Sequence, residues 1–200
     1  CDNLPGNGHV THDAVVGLAR LSDPELADWI EANVAFPNGM VDRITPATGP
    51  REREMAASFG LGDDPVPVTC EPFRQWVVED NFPNGRPALE KVGVTFSDQV
   101  HVFEMMKIRI LNGGHAIIAY PGGIMGIEYV HEAMANPLVR DLLDKIETTE
   151  ILPILPPVPG TDLDAYKAMI INRFSNPEVA DTERRLCFDG SNRQPKFIIP

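Results

Sequence analysis

Two hundred residues hold one full domain or two small ones, and a hydrophobic content of 43% is that of an ordinary globular core. Seventeen Lys and Arg against 29 Asp and Glu leave a net charge of −12, which argues against nucleic acid or an anionic membrane as partner, since both need clustered positive charge. No apolar run reaches the length of a membrane span, the opening residues do not read as a signal peptide, and three widely spaced cysteines (Cys1, Cys70, Cys187) suit reduced thiols in a cytoplasmic compartment better than a disulfide framework.

Residues 1–8 read as a loop rich in turn formers, followed by helical periodicity from about His9 to Leu21. Ser22-Asp-Pro-Glu25 has the form of a capping box with proline in the first turn, and predicts a second helix to about Val34 in which Trp29 and Ile30 supply apolar surface. Phe36-Pro-Asn-Gly breaks that helix, Met40 to Thr45 predicts a short strand ending at Pro46, and the charges from Arg51 to Glu54 predict a solvated helix. Val66 to Cys70 and Gln75 to Val78 read as strands, the first confined to an edge by Pro67, and Val92 to Phe96 as a short segment.

At Ser97 strand signals vanish. Ser97-Asp98 caps a long apolar helix ending at Pro121-Gly-Gly123; another begins near Ile124 and runs towards Met134. Asn136-Pro137 introduces a third, Leu138 to Thr148, with its charged residues on the outer face. Four prolines from Pro153 to Pro159 predict an extended linker, Asp162 to Phe174 a helix, Pro177 the start of a short helix, and Phe188 to Arg193 a loop. The expected boundary lies near residue 96, with mixed α/β structure in 1–96 and mainly helical structure in 97–200.

The stretch Glu104-Met-Met-Lys107-Ile-Arg-Ile-Leu-Asn112-Gly-Gly-His115 stands apart. At about 100° per residue, with Lys107 at zero, Glu104 falls near ~60°, His115 near ~80° and Asn112 near ~140°. A carboxylate, an imidazole, an amide and an ammonium thus share one side of a largely apolar helix. They either satisfy one another, as in a Lys107–Glu104 pair within a core helix, or face a polar cavity. Four together, ending at two glycines that allow close approach, favour a site.

The spacing Lys-x-x-x-x-Asn-x-x-His resembles the signature of the polyol-specific long-chain dehydrogenases, most of all the mannitol 2-dehydrogenase branch. Cys1-Asp-Asn3-Leu, Phe36-Pro-Asn-Gly-Met-Val41-Asp42-Arg-Ile-Thr-Pro46, Cys70-Glu-Pro-Phe-Arg-Gln-Trp76 and Asp189-Gly-Ser-Asn-Arg193-Gln-Pro-Lys196 agree with it. No Gly-x-Gly-x-x-Gly follows a strand, and the chain opens inside a family-like word. The resemblance therefore implies a fragment: the tail of a Rossmann-type nucleotide-binding domain, then an incomplete helical substrate domain.

Oxidation of a secondary alcohol needs a base, a hydride acceptor and donors for an alkoxide-like oxygen. Lys107 is the base if its apolar neighbours favour the neutral amine, a shift that Glu104 would oppose. Asn112 is one oxyanion donor, and the resemblance makes Asn3 the second. His115 is read as a ligand of a substrate hydroxyl, and Glu104 as a proton relay or a structural ion pair. By resemblance, Asp42, Arg185 and Arg193 contact substrate and Val41 the cofactor, which is NAD with NADP left open. Position 193 is Lys or Arg in the family, so Arg193 keeps the charge.

Zinc has no credible ligand set: His9-x-x-His12 has only Cys1 as a nearby thiol, and neither Cys-x-x-Cys nor His-Glu-x-x-His occurs. The resemblance likewise implies metal-independent chemistry. The reading is NAD-dependent interconversion of mannitol and fructose, or of a close polyol such as arabinitol, with the oligomeric state open. The alternatives are a hexuronate reductase of the same superfamily and a non-catalytic remnant without its nucleotide-binding part.

Overall fold

The structure, a computed structural model, describes residues 3–62 and 64–199, so Cys1 lies outside it. The chain divides into two compact units: one holds the residues up to Asp42 with Arg74–Met105, the other Arg43–Phe73 with the residues from Met106 on. Helices and strands are numbered along the chain.

The first unit carries the sheet. Helices α1 (Asn7–Ser22) and α2 (Pro24–Asn33) meet at Asp23, whose N–H closes α1 onto the Ala19 carbonyl at 2.7 Å and whose carboxylate caps α2 at the Leu26 N–H, 3.1 Å away. The expected box on Ser22 is displaced by one residue, because Pro24 occupies the first helical position and so makes Asp23 the cap. Ser22 instead donates to the Ala19 carbonyl. Val16, Ala19, Ala27 and Ile30 form the seam between the helices, while Trp29 stays 58% exposed.

Strands β1 (Gly39–Asp42), β2 (Gln75–Val78) and β3 (Thr95–Phe96) lie in that order, β1 antiparallel and β3 parallel to β2. Gly39 faces Val78, Asp42 faces Gln75, and Thr95 faces Val77. The start of α1 is locked to the turn before β1. The Asn7 amide donates to the Gly39 carbonyl at 2.5 Å and accepts the Gly39 N–H at 3.0 Å, and the Asn38 side chain takes the Gly8 N–H at 2.9 Å. A Cβ on Gly8 would stand 2.8 Å from the Asn38 nitrogen, so only glycine allows this approach. Helix α4 (Val100–Met106) closes the unit.

The second unit is helical. It comprises α3 (Pro50–Ser58), a π-helical turn over Lys107–Asn112, α5 (Gly113–Ile124), α6 (Val130–Ala135), α7 (Pro137–Ile146), a second π-helical turn over Glu147–Ile151 and a 3₁₀ turn over Leu152–Ile154. Helices α8 (Leu163–Phe174), α9 (Glu183–Leu186) and α10 (Gly190–Phe197) follow. Ile110, Ile118, Met134, Val139, Leu143, Ile170 and Leu186 are its buried centre.

Several expectations change. Val66 to Cys70 is not a strand: the Pro67 carbonyl accepts the Thr48 hydroxyl at 2.7 Å, and the Glu71 N–H goes to the Ile44 carbonyl at 3.1 Å. The strand expected to run to Thr45 stops at Asp42, since the Ile44 N–H is taken by the Glu71 carboxylate at 2.6 Å. Helix α5 passes through Pro121, and α6 begins only at Val130 after a turn at Gly126, whose φ is 72°. Pro153 sits in the 3₁₀ turn rather than an extended linker. Pro177 starts only a turn, and the short helix lies at α9. The expected loop Phe188 to Arg193 is mostly the first turn of α10, its Asn192 and Arg193 N–H groups bonded to the Asp189 carbonyl.

Candidate active site

Lys107 and Asn112 bound the first π-helical turn, and His115 follows in the first turn of α5; all three are buried, each with 8% of its surface exposed. In a π turn the N–H bonds five residues back, as Gly113 does to the Ile108 carbonyl. The wider turn narrows the angle between residues five apart from the ~140° of an α-helix, which brings Asn112 closer in azimuth to Lys107. Apolar periodicity at 3.6 residues per turn carries no signal of this change.

The imidazole of His115 stacks on Phe174, with ring centroids 4.2 Å apart and planes 25° from parallel. Burial pushes its pKa well below the ordinary histidine value, and the cations Arg185, Arg193, Arg173 and Lys107 add to the effect. The ring is neutral at neutral pH and offers one donor and one acceptor. It lines a narrow pocket with His131, Arg173, Asn176 and Asp181.

Arg173 and Glu71 went unsuspected in the sequence. They form a buried ion pair in which Arg173 Nη2 donates to Glu71 Oε1 at 2.6 Å and Nε to Oε2 at 3.0 Å, the guanidinium lying 4.1 Å above the Phe73 ring. The Cys70-Glu71-Pro-Phe73 word thereby fixes a cation on the wall of the His115 pocket. Proximity of that word to Arg173, about a hundred positions on, has no local signature.

Arg185 and Arg193 share an open cavity with Thr182, Arg184, Phe188 and Asp189. Arg185 is held by the buried carboxylate of Asp181, its Nε donating to Oδ1 at 2.6 Å. Arg193 donates to the Leu186 carbonyl at 2.7 Å. Both guanidiniums act on His115, so these two residues and the Lys107–Asn112–His115 group belong to one electrostatic neighbourhood.

Asn3, Val41, Asp42 and Glu104 belong to the first unit. Asn3 is exposed, Val41 is 39% exposed on β1, and Asp42 beside it is buried. Glu104 is buried too; burial raises its pKa, against the opposing effects of the Gly6 N–H, which reaches Oε2 at 3.3 Å, and of His101 and His9. Among the described residues no group of three or more His, Cys, Asp or Glu could hold a metal ion, and no helix is long and apolar enough to cross a membrane. Cys70 and Cys187 are free thiols, Cys187 donating to the Ala119 carbonyl at 3.2 Å.

Two family models match the chain in succession. The mannitol dehydrogenase Rossmann domain covers residues 1–91 and the mannitol dehydrogenase C-terminal domain residues 99–200. A mannitol 2-dehydrogenase of Cereibacter sphaeroides is 72% identical over 200 residues, covering all of this chain and 42% of that protein. The mannitol 2-dehydrogenase of Aspergillus oryzae is 45% identical over 203 residues, covering all of this chain and 40% of its own length. The chain thus spans about two fifths of the relatives it matches. Among solved structures, the Pseudomonas fluorescens mannitol 2-dehydrogenase in ternary complex with NAD and D-mannitol superposes with a TM-score of 0.89 at 50% identity, over all of this chain and 41% of that one. A substrate-free D-sorbitol dehydrogenase gives 0.92 at 42% identity, over 99% of this chain and 41% of that one. Part of a Rossmann domain followed by a helical C-terminal domain, with both family models matched in order along nearly every residue, places this chain in the mannitol dehydrogenase family.

Proposed function

We propose that this chain forms the substrate and proton-transfer part of a metal-independent, NAD-dependent polyol dehydrogenase that interconverts mannitol and fructose. The observation that carries the reading is the π turn, which buries Lys107 and Asn112 on one side of the helix that also holds a neutral His115. The identity to mannitol 2-dehydrogenases supports the substrate class, and the gap between the two family-model matches, from residue 91 to residue 99, supports a division between the two domains near residue 96.

Lys107 Nζ takes the proton of the reacting hydroxyl. The Asn112 amide donates to the oxygen as it gains charge, and Asn3 is assigned the second donor; an amide does this without altering the local charge. His115 bonds an adjacent hydroxyl, since a neutral ring adds orientation and no field. Arg185, Arg193 and Asp42 bind the remaining hydroxyls, and Glu104 passes the proton to solvent.

NAD supplies the hydride acceptor when bound. Of the residues present, the half-exposed Val41 at the end of β1 suits packing against a flat nicotinamide ring, and no glycine-rich phosphate loop lies in this chain. No further cofactor contact is assigned to it.

The test is single-turnover mannitol oxidation against pH in the intact enzyme. Lys107→Ala removes the base and an oxyanion-stabilising cation, and should slow the chemical step beyond the ~10²–10⁴-fold usual for general catalysis. Asn112→Ala should slow it ~10²–10³-fold with substrate binding little changed. A near-normal rate with unchanged pH dependence in Lys107→Ala would remove lysine from the mechanism.

A further inference from the structure

Glu147 is a buried carboxyl that this mechanism leaves unused. It belongs to the second π-helical turn, is fully buried, and neither carboxyl oxygen has a hydrogen-bond partner. It sits against the backbone of α5 at Gly114, where a Cβ would come within 2.9 Å of Glu147 Oε1 and 3.0 Å of the Phe174 ring. Gly114 lies between Asn112 and His115, and Phe174 is the ring on which His115 stacks. A side chain at position 114 would thus meet both the Glu147 carboxyl and the ring that supports His115.

An ionised carboxylate without donors in such a place is costly, whereas a protonated one is a compact neutral group. The charged groups on the surrounding elements relieve it only in part, through Lys167, which lowers the pKa of the carboxyl. Lys167 on α8 is occupied by Asp144 at 2.7 Å and Thr148 at 2.8 Å. Asp144 on α7 repels a charge on Glu147, and burial dominates both effects, pushing the carboxyl up to about 8. On the first π turn, Arg109 donates to the Phe197 carbonyl at 3.2 Å and Lys107 has its own partners. Arg173 is taken by Glu71.

We propose that Glu147 is a positioning residue: as an uncharged carboxylic acid it seats Gly114 and Phe174 and so holds Asn112 and His115 in place, and its ionisation releases them. It touches no substrate. The consequence for turnover rests on the polyol dehydrogenase reading; the consequence for the protonation state and for stability does not.

Glu147→Gln keeps the shape of the neutral acid and cannot ionise. In the intact enzyme at pH 6.5 it should keep the wild-type kcat and KM within about twofold. Above pH 8 it should keep the activity that the wild type loses through this group, and between pH 4.5 and 8 its melting temperature should fall less than that of the wild type. Wild-type protein labelled with ¹³C at the glutamate carboxyls should show one carboxyl, absent from Glu147→Gln, that titrates near pH 8. A Glu147→Gln enzyme impaired tenfold or more at pH 6.5, or one that keeps the wild-type alkaline decline, overturns the proposal. So does a Glu147 carboxyl that titrates in the ordinary acidic range, which is readable on wild type even if the variant fails to fold. A wild type that turns over no polyol, yet whose carboxyl titrates near 8, would reject the functional reading and leave the neutral acid standing.

Discussion

Phe174 covers one face of His115, ring on ring at 4.2 Å, and the residue before Phe174 in the chain is the arginine that lines the same pocket. Two neighbours at the end of α8 therefore set the environment of one imidazole: an apolar plate excludes water, and a cation disfavours protonation. Phe174→Ala should cost about 3–5 kcal/mol, the usual range for emptying a buried aromatic site. It should also admit water to His115 and move the titration of the ring upward. Chemical denaturation and histidine NMR across pH 4–8 check both effects, and an unmoved ring titration would mean that the plate does not control solvation there.

Glu71 anchors the cation. It accepts from Arg173 and from the Ile44 N–H, so one carboxylate ties the segment after β1 to the end of α8. Glu71→Ala leaves a buried guanidinium short of its counter-charge, a change that costs about 3–5 kcal/mol in comparable pairs. Glu71→Gln, which can still accept the Ile44 N–H, should lose less. Equal stabilities of the two variants in urea would show that the charge contributes nothing beyond the backbone hydrogen bond.

The parts legible in the sequence are those written locally. Pro24 and Asp162 mark where α2 and α8 begin, and the alternation of Gln75 to Val78 gives a strand at those residues. The Lys107, Asn112 and His115 spacing lies on a helical stretch, as expected, and the family words implied the fold around it. What failed depends on contacts distant in sequence or on a change of helical pitch. Glu147 falls in a helix expected to carry its charges on the outer face, yet it follows Val139 and Leu143 at i+4 spacing and is buried with them, and its charge hides that spacing. Gly190 and Pro195 look like loop residues, yet α10 contains both.

Metal dependence offers a separate check. The only histidine pair at ligand-like spacing, His9 and His12, is engaged locally, His12 with Asp13 at 3.0 Å and His9 near the Asn38 amide. In the proposed mechanism Lys107 takes the place that a Lewis-acid zinc fills in a zinc-dependent alcohol dehydrogenase. Exhaustive chelation of the intact enzyme should leave mannitol oxidation unchanged, with metal content verified by mass spectrometry. Activity that disappears on chelation and returns with zinc would contradict the lysine mechanism.

Glu183 gives a stability prediction independent of turnover. It is 1% exposed at the start of α9, both its oxygens lack hydrogen-bond partners, and a Cβ on Gly122 would come within 2.9 Å of its carboxyl carbon. Burial first, and the Asp181 charge second, push its pKa up to about 7 from 4.5. Folding therefore raises the proton affinity of this group, and between those two values the native state holds a proton that the unfolded chain has released. The stabilisation this provides is fully present below pH ~4.5 and is lost as pH rises through about 7, because the unfolded state then binds fewer protons than the native one. Glu183→Gln removes the titration and should match the wild type at pH 4.5. Above pH 8 it should be the more stable protein, by on the order of 1–3 kcal/mol. Urea midpoints of both proteins at half-unit steps from pH 4.5 to 9 trace the difference. If the two curves stay parallel throughout, Glu183 ionises at its ordinary pKa and the carboxyl has a donor in solution that its position against Gly122 does not reveal.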